Sequence, residues 1–332
     1  MDFYQLNRMP VSDPIEVPRD QLSREQVDFY LENGYLIVEQ VFKQEEVAEL
    51  NADLLKIARG AYPCKPLKPL PPHITDEEAL GNLLSVNQPH HVSPVLLEYL
   101  KHKRLVGMVS QLAGAHIPEW DGSTKCFQSM FFVKPPGFQG QAWHQDEVYV
   151  PSRDGTLCGA WVATDDATED NGCLRVLPGS HKMRFLWPQR PHENHDEFDM
   201  AESSYGFDDS GEVVAEVHAG GVVFLNGYTL HRSSKNRSDR YRRSIVIHYA
   251  NAWTLVPKGE HQEGEKGFAD RRDVIPVSGV DPYCWRGYAK EVEEVWLRPV
   301  ENPEWIKKPA DDYEKVPRGG GVKTERKRWF RR

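Results

Sequence analysis

Residues 141–151 read QAWHQDEVYVP, and they place a histidine and a carboxylate, His144 and Asp146, two positions apart. Trp143, Val148 and Val150 give the run the apolar and β-branched bulk of a half-buried strand. Side chains two apart on a strand leave from the same face. The run is therefore expected to bring a neutral ring nitrogen and an anionic oxygen together, either as a salt-bridged pair or as two parts of a metal site. A third ligand stands in LNGYTLHRSSKNRSDRYRRSIVIHY, where His231 lies between two predicted strands. Two histidines and one carboxylate on one face of a metal are the donor set of non-haem Fe(II) oxygenases, which leaves coordination positions open for oxygen and a chelating co-substrate. A four-ligand zinc site would leave too few.

The elements that must position these residues change in texture along the chain. S-x-x-Q at Ser23 to Gln26 reads as a capping box opening a short helix that stops before Gly34. YLIVEQVF follows as a strand, and Val47, Leu50, Leu54 and Ile57 mark one face of a helix ending near Gly60. Residues 61–73 are proline-rich loop, and 95–113 carry a second helical pattern. From about 124 to 252 the chain becomes a succession of short strands separated by turn signals, with Asn171-Gly172 the clearest hairpin turn. Such a run without intervening helices predicts an all-β sandwich or barrel. The organisation expected is one domain over 1–332, with a helical flank at 20–115, a β-barrel core at 120–252 and a C-terminal extension at 253–332 made of loops and short helices. Residues 182–212 are polar, acidic and too long for an ordinary connection, which predicts a mobile lid or entrance loop.

Composition narrows the function. The chain has 332 residues with 39% hydrophobic and 11% aromatic side chains, enough for a sizeable core, and its 24 prolines and 25 glycines favour many turns over a helical bundle. A net charge of −9 argues against a nucleic-acid partner, and the basic KTERKRWFRR terminus reads as a solvated tail. Five cysteines without C-x-x-C spacing suggest neither a zinc ribbon nor a disulfide framework, so a reducing cytoplasm is expected. MDFYQLNRMPVSDP has no signal-peptide pattern. No apolar run approaches the roughly 18 residues of a membrane span, so no membrane partner is expected.

WHQD, then NGCLRVLPGSHK, then a histidine followed eleven residues on by Arg242, resembles the phytanoyl-CoA dioxygenase family of Fe(II)/2-oxoglutarate oxygenases, which includes ectoine hydroxylases. The likeness runs from about 125 to 250, with fainter echoes in VDFYLENGYLIVEQVF. It implies a mainly β fold, a double-stranded β-helix (a cupin-like jelly-roll barrel) with flanking N-terminal helices. It implies that His144, Asp146 and His231 are the metal and catalytic residues, and that Fe(II), 2-oxoglutarate and O2 take part. Arg242 matches the arginine that pairs with the far carboxylate of 2-oxoglutarate. Gln128, Trp161 and Ser233 fall where family members contact the co-substrate or line its pocket. A dicarboxylate carried into a barrel needs such a partner, because an unpaired buried charge costs several kcal/mol, and a guanidinium supplies two parallel hydrogen bonds.

Alternatives compete at several positions. Arg237, Arg240 and Arg243 rival Arg242; by parity Arg242, Ser244, Val246 and His248 share one strand face and Arg243, Ile245, Ile247 and Tyr249 the other, with nothing to say which looks inward. His181 is expected to be structural, and His90, His91, His192 and His195 to be exposed. The main reading is a dioxygenase that hydroxylates a small organic substrate and releases succinate and CO2. Its rival is a non-catalytic cupin-like barrel that binds a ligand or metal. Halogenation is rejected because Asp146 is present. The acidic stretch at 192–212 favours a small polar or cationic substrate or a natural product over an acyl-CoA.

Overall fold

A computed structural model describes residues 11–64, 73–255, 274–286 and 295–299, which lie within the compact unit Met1–Val300. The basic C-terminal tail lies outside the described residues. The chain opens with helix α1 (Arg24–Asn33), which starts at the expected capping box: Ser23 Oγ accepts from the Gln26 amide and Gln26 Oε1 from the Ser23 amide. It stops where expected, at Gly34. Strand β1 (Tyr35–Val38) and helix α2 (Gln44–Ala58) follow. Helix α3 (Asp76–Gly81) and strand β2 (Leu83–Asn87) come next and were not anticipated. The helical pattern at 95–113 resolves into α4 (Pro94–Tyr99) and α5 (Lys103–Leu112), interrupted at 100–102.

The remaining strands are β3 (Thr124–Lys134), β4 (Cys158–Ala163), β5 (Leu174–Val176), β6 (Gln189–Arg190), β7 (Ser203–Ser204), β8 (Val213–Ala215), β9 (Val222–Asn226), β10 (His231–Ser233), β11 (Arg242–Asn251), β12 (Ile275–Ser278) and β13 (Trp296–Pro299). An eight-stranded sheet runs β1-β9-β4-β11-β3-β2-β13, with β12 also on β3. A three-stranded sheet runs β10-β5-β8, and β6 pairs β7. The pairings that link named strands are antiparallel, and the architecture is mainly β. The C-terminal stretch read as loops and short helices thus contributes two strands. Each is four residues long and contains a proline, too short to leave a period in the sequence. Among the described residues no helix is long and apolar enough to cross a membrane.

Alternation in the large sheet makes two cores. Ile245, Ile247 and Tyr249 of β11, with Cys158, Ala160 and Val162 of β4, bury against Leu50, Leu54, Leu105 and Val109 of the helices. Trp161, Ala163, Val223, Leu225 and Val246 face the other way and pack on Leu174, Val176 and Ala215 of the small sheet. Fully burying each of the larger aliphatic side chains among them, such as Leu50, Val162 or Ile245, is worth about 1.5–3 kcal/mol.

Asn171-Gly172 does form a turn, with the Cys173 amide donating to Thr168 O, but it does not close a hairpin. β4 and β5 belong to different sheets, so the turn carries the chain from one to the other. Gly172 has φ +78°, and a Cβ there would lie 2.2 Å from Ser234 O. Gly172→Ala is therefore strained twice over and should cost roughly 1–3 kcal/mol. A thermal melt should show a lower Tm, and an unchanged Tm would contradict the tight approach of this turn to Ser234.

Candidate metal and co-substrate site

His144 does not sit on a strand with Asp146. Its amide donates to His231 O (3.0 Å) and the His231 amide donates to His144 O (3.1 Å), an isolated antiparallel bridge to the start of β10. Asp146 to Val148 then form a 3-10 turn, closed by the Tyr149 and Val150 amides on Asp146 O. The same-face argument from strand parity fails here, because apolar bulk at 143–150 does not distinguish a strand from a buried turn. The turn nevertheless brings the carboxylate back to the rings. Asp146 Oδ1 is 3.7 Å from His231 Nε2 and 4.0 Å from His144 Nε2, and all three side chains are buried.

Local backbone fixes the tautomers. His144 Nδ1 donates to Ala142 O (2.8 Å) and His231 Nδ1 to Thr229 O (3.0 Å), which turns both Nε2 atoms towards Asp146. Burial and the neighbouring His231 push His144 down to about 3, so its ring is neutral. Burial alone would raise Asp146, but the His231 and His248 rings outweigh it and hold the carboxylate below its ordinary range. Two imidazole Nε2 atoms and an anionic oxygen within 4.8 Å of one another suit a divalent cation.

Sequence reasoning did not name His248 as a site residue. It is buried on β11, with Nε2 3.2 Å from Asp146 Oδ2 but off the line of a hydrogen bond. Its signal was available, since it shares the parity of Arg242. Gly159 of β4 lies beneath the pair, and a Cβ there would be 3.1 Å from Asp146 Oδ2.

The four rival arginines separate by their partners. Arg243 is clamped by Asp165, through Nε at 2.7 Å and Nη2 at 2.6 Å. Arg237 pairs with Glu197, and Arg240 lies 3.6 Å from Asp170. Arg242 is 4% exposed, and among the described residues it has no ion-pair partner. Its Nη1 donates to Ser244 Oγ (2.9 Å), its guanidinium lies 5.2 Å from the Trp161 ring centroid, and its Nε is buried without a hydrogen bond. Burial pushes it down to about 10. β11 therefore turns Arg242, Ser244, Val246 and His248 towards the small sheet.

A second buried cation was missed. Lys134 ends β3 directly opposite Arg242, 6% exposed, and donates to Ser234 O (2.6 Å), Ser233 Oγ (3.0 Å) and Gly172 O (3.3 Å). Burial, then the adjacent Arg242, holds its ammonium well below the ordinary lysine range. A carboxylate brought against Arg242, with Lys134 close by, would offset both penalties. Of the other expected residues, Trp161 and Ser233 belong to this cluster. Gln128 lies opposite His248 on β3, with Nε2 3.1 Å from Met130 Sδ.

Residues 182–212 take a hydrogen-bonded course across the ligand-bearing loop. Asp199 N donates to Gly140 O (2.7 Å), Ser204 N to Trp143 O (2.7 Å) and Trp187 N to Gln145 Oε1 (2.8 Å). Phe185, Trp187, Phe207 and Trp143 form a chain of ring contacts along it. His181 is structural as expected, donating to Leu31 O (3.0 Å). His192 is half-buried and His195 exposed, whereas His90 is buried against Ser129 Oγ because a 3-10 turn at 89–91 folds it under β3.

A family model described as phytanoyl-CoA dioxygenase (PhyH) matches residues 30–244. A probable phytanoyl-CoA dioxygenase of Caenorhabditis elegans is 30% identical over 248 residues, covering 69% of this chain and 76% of that protein. An ectoine dioxygenase of Bordetella parapertussis is 28% identical over 293 residues, covering 79% and 89%. The crystal structure of EctD from S. alaskensis with 2-oxoglutarate and 5-hydroxyectoine superimposes with a TM-score of 0.55 at 21% identity, covering 80% of this chain and 90% of that one.

Fe(II) added without air should raise the Tm of the protein, by the order of 2.7 kcal/mol of stabilisation at a hundredfold excess over Kd, and a chelator should reverse it. Asp146→Ala should lose most of that shift. An equal shift in the variant would place the metal elsewhere.

Proposed function

The chain belongs to the phytanoyl-CoA dioxygenase family, and on that premise we propose that His144, Asp146 and His231 hold ferrous iron while Arg242 anchors 2-oxoglutarate in a dioxygenase that hydroxylates a small organic substrate. Iron and 2-oxoglutarate held there would supply O2 activation, with one oxygen atom going to the substrate and the other to succinate as CO2 is released. The observation that carries the reading is the unpaired, buried Arg242 on the strand face that also bears His248 and looks towards the three ligands. A guanidinium in that state is matched by the far carboxylate of a dicarboxylate.

The protein's own part is to hold and orient. The Ala142 and Thr229 carbonyls keep both ring nitrogens turned inward. Trp161 covers one face of Arg242, so its donors are directed rather than free to swing. Ser233 and Gln128 are read as co-substrate contacts on either side. The large and small antiparallel sheets are read as the two walls of a double-stranded β-helix within a single domain over 1–332. Its parts are a helical flank at 20–115, a β core at 120–252 and a C-terminal extension at 253–332. The free cysteines, four of them buried, accord with a cytoplasmic setting.

The entrance supports a polar or cationic substrate. Tyr149 stands over His144, with ring centroids 6.2 Å apart; burial, then the Asp146, Asp199 and Glu202 carboxylates, raises its hydroxyl, and Asp199 is itself paired with Arg298 (3.3 Å). Aromatic rings beside carboxylates favour cations, whereas a CoA thioester would need basic groups for its phosphates.

Arg242→Ala should raise the KM for 2-oxoglutarate by at least about thirtyfold, since losing a desolvated charge partner typically costs roughly 2–5 kcal/mol. Arg242→Lys should fall between. Arg243→Ala should lower the Tm and leave that KM unchanged, because its guanidinium is spent on Asp165. Should Arg243→Ala lose co-substrate affinity while Arg242→Ala keeps it, the anchor is on the other face. A mass-spectrometric search for products one oxygen heavier, run on amine and thioester pools, tests the substrate class; turnover confined to thioesters would reject the cationic reading.

A further inference from the structure

Ser233 Oγ accepts two hydrogen bonds, from Lys134 Nζ (3.0 Å) and from the Gln141 amide (3.1 Å). A hydroxyl has two lone pairs and one proton, so both acceptor positions are filled and only donation remains. Around Lys134 Nζ the count is equally tight. Its oxygens are Gly172 O, Ser234 O and Ser233 Oγ, matching the three N–H groups of an ammonium. Two of the three are carbonyls, which can only accept, so the third N–H goes to the serine when Lys134 is an ammonium, the form that a dicarboxylate bound beside Arg242 favours. Arg242 stands directly across from Lys134 in the β3–β11 register, on the same face.

We propose that Lys134 is a positioning residue for the co-substrate: with the Gln141 amide it occupies the lone pairs of Ser233 and so commits that hydroxyl to donate, beside Arg242, to the distal carboxylate of 2-oxoglutarate. The inference rests on the reading of Arg242 and Ser233 as the co-substrate anchor. Lys134 itself does not need to touch the ligand. Its three N–H groups are already engaged, and its contribution is the direction of a neighbouring proton. A serine free to rotate would divide its hydrogen between acceptors and lose part of each charge-assisted bond.

The test is a double-mutant cycle read as the Kd of 2-oxoglutarate, measured without oxygen on the full chain loaded with iron. Ser233→Ala should weaken binding about tenfold in the natural background and less than about threefold in Lys134→Met, because the undirected hydroxyl has less to lose. Any loss of general positive charge in Lys134→Met affects both members of that pair and cancels. Iron loading, measured in the same samples, should stay at one per chain; a loop merely collapsed around His231 would lower it. An equal tenfold effect of Ser233→Ala in both backgrounds overturns the proposal. If Lys134→Met does not fold, Lys134→Leu, which likewise has no donor, carries the same comparison. Arg242→Ala separates the two claims: normal binding in that variant removes the anchor reading itself, whereas lost binding with an additive cycle removes only the role of Lys134.

Discussion

β11 is hydrogen-bonded on both edges, to β3 along its whole length and to β4 over Ser244–Tyr249. That double pairing fixes which of its side chains face which core, and a shift of one residue would invert every one of them. Ile245, Ile247 and Tyr249 are thereby committed to the helices, and Arg242, Ser244, Val246 and His248 to the space between the sheets. Each end of the site hangs from this strand, with His248 against Asp146 at one end and Arg242 beside Trp161 at the other.

The ligand loop is held to the small sheet rather than to β11. The mutual His144–His231 bridge ties the two histidines before any metal is considered, and the Ala142 and Thr229 carbonyls set both rings. The donor set is thus built by backbone hydrogen bonds, which resist reorganisation in a dry interior. Charge is arranged unevenly along this face of β11. Asp146 is surrounded by rings, while Lys134 and Arg242 sit together with carbonyls and hydroxyls for company. Among the described residues neither Lys134 nor Arg242 has a carboxylate in contact, and burying their charges is expensive unless an anion completes the arrangement.

Residue types carried more of this than patterns did. That His144, Asp146 and His231 cluster was legible because their chemistry and order are unusual together, not because the strand reading around them was right; 146–148 is a turn. The face of β11 was illegible because both faces are buried, so neither reads as solvent. Lys134 carried no signal at all, since a lysine closing an apolar strand ordinarily reaches water. β12 and β13 escaped because four residues with a proline hold no period, and the helix at 94–112 breaks over three residues that keep the apolar pattern.

Iron at His144, Asp146 and His231 and 2-oxoglutarate at Arg242 are tested most directly by a measurement that needs both at once. Chelation of ferrous iron by 2-oxoglutarate produces a visible charge-transfer absorption that neither component gives alone. Titrating the iron-loaded protein with 2-oxoglutarate in the absence of oxygen should develop this band to one equivalent per chain, and succinate, which lacks the 2-oxo group, should not produce it. A protein that binds iron yet shows no band at saturating 2-oxoglutarate would contradict the account.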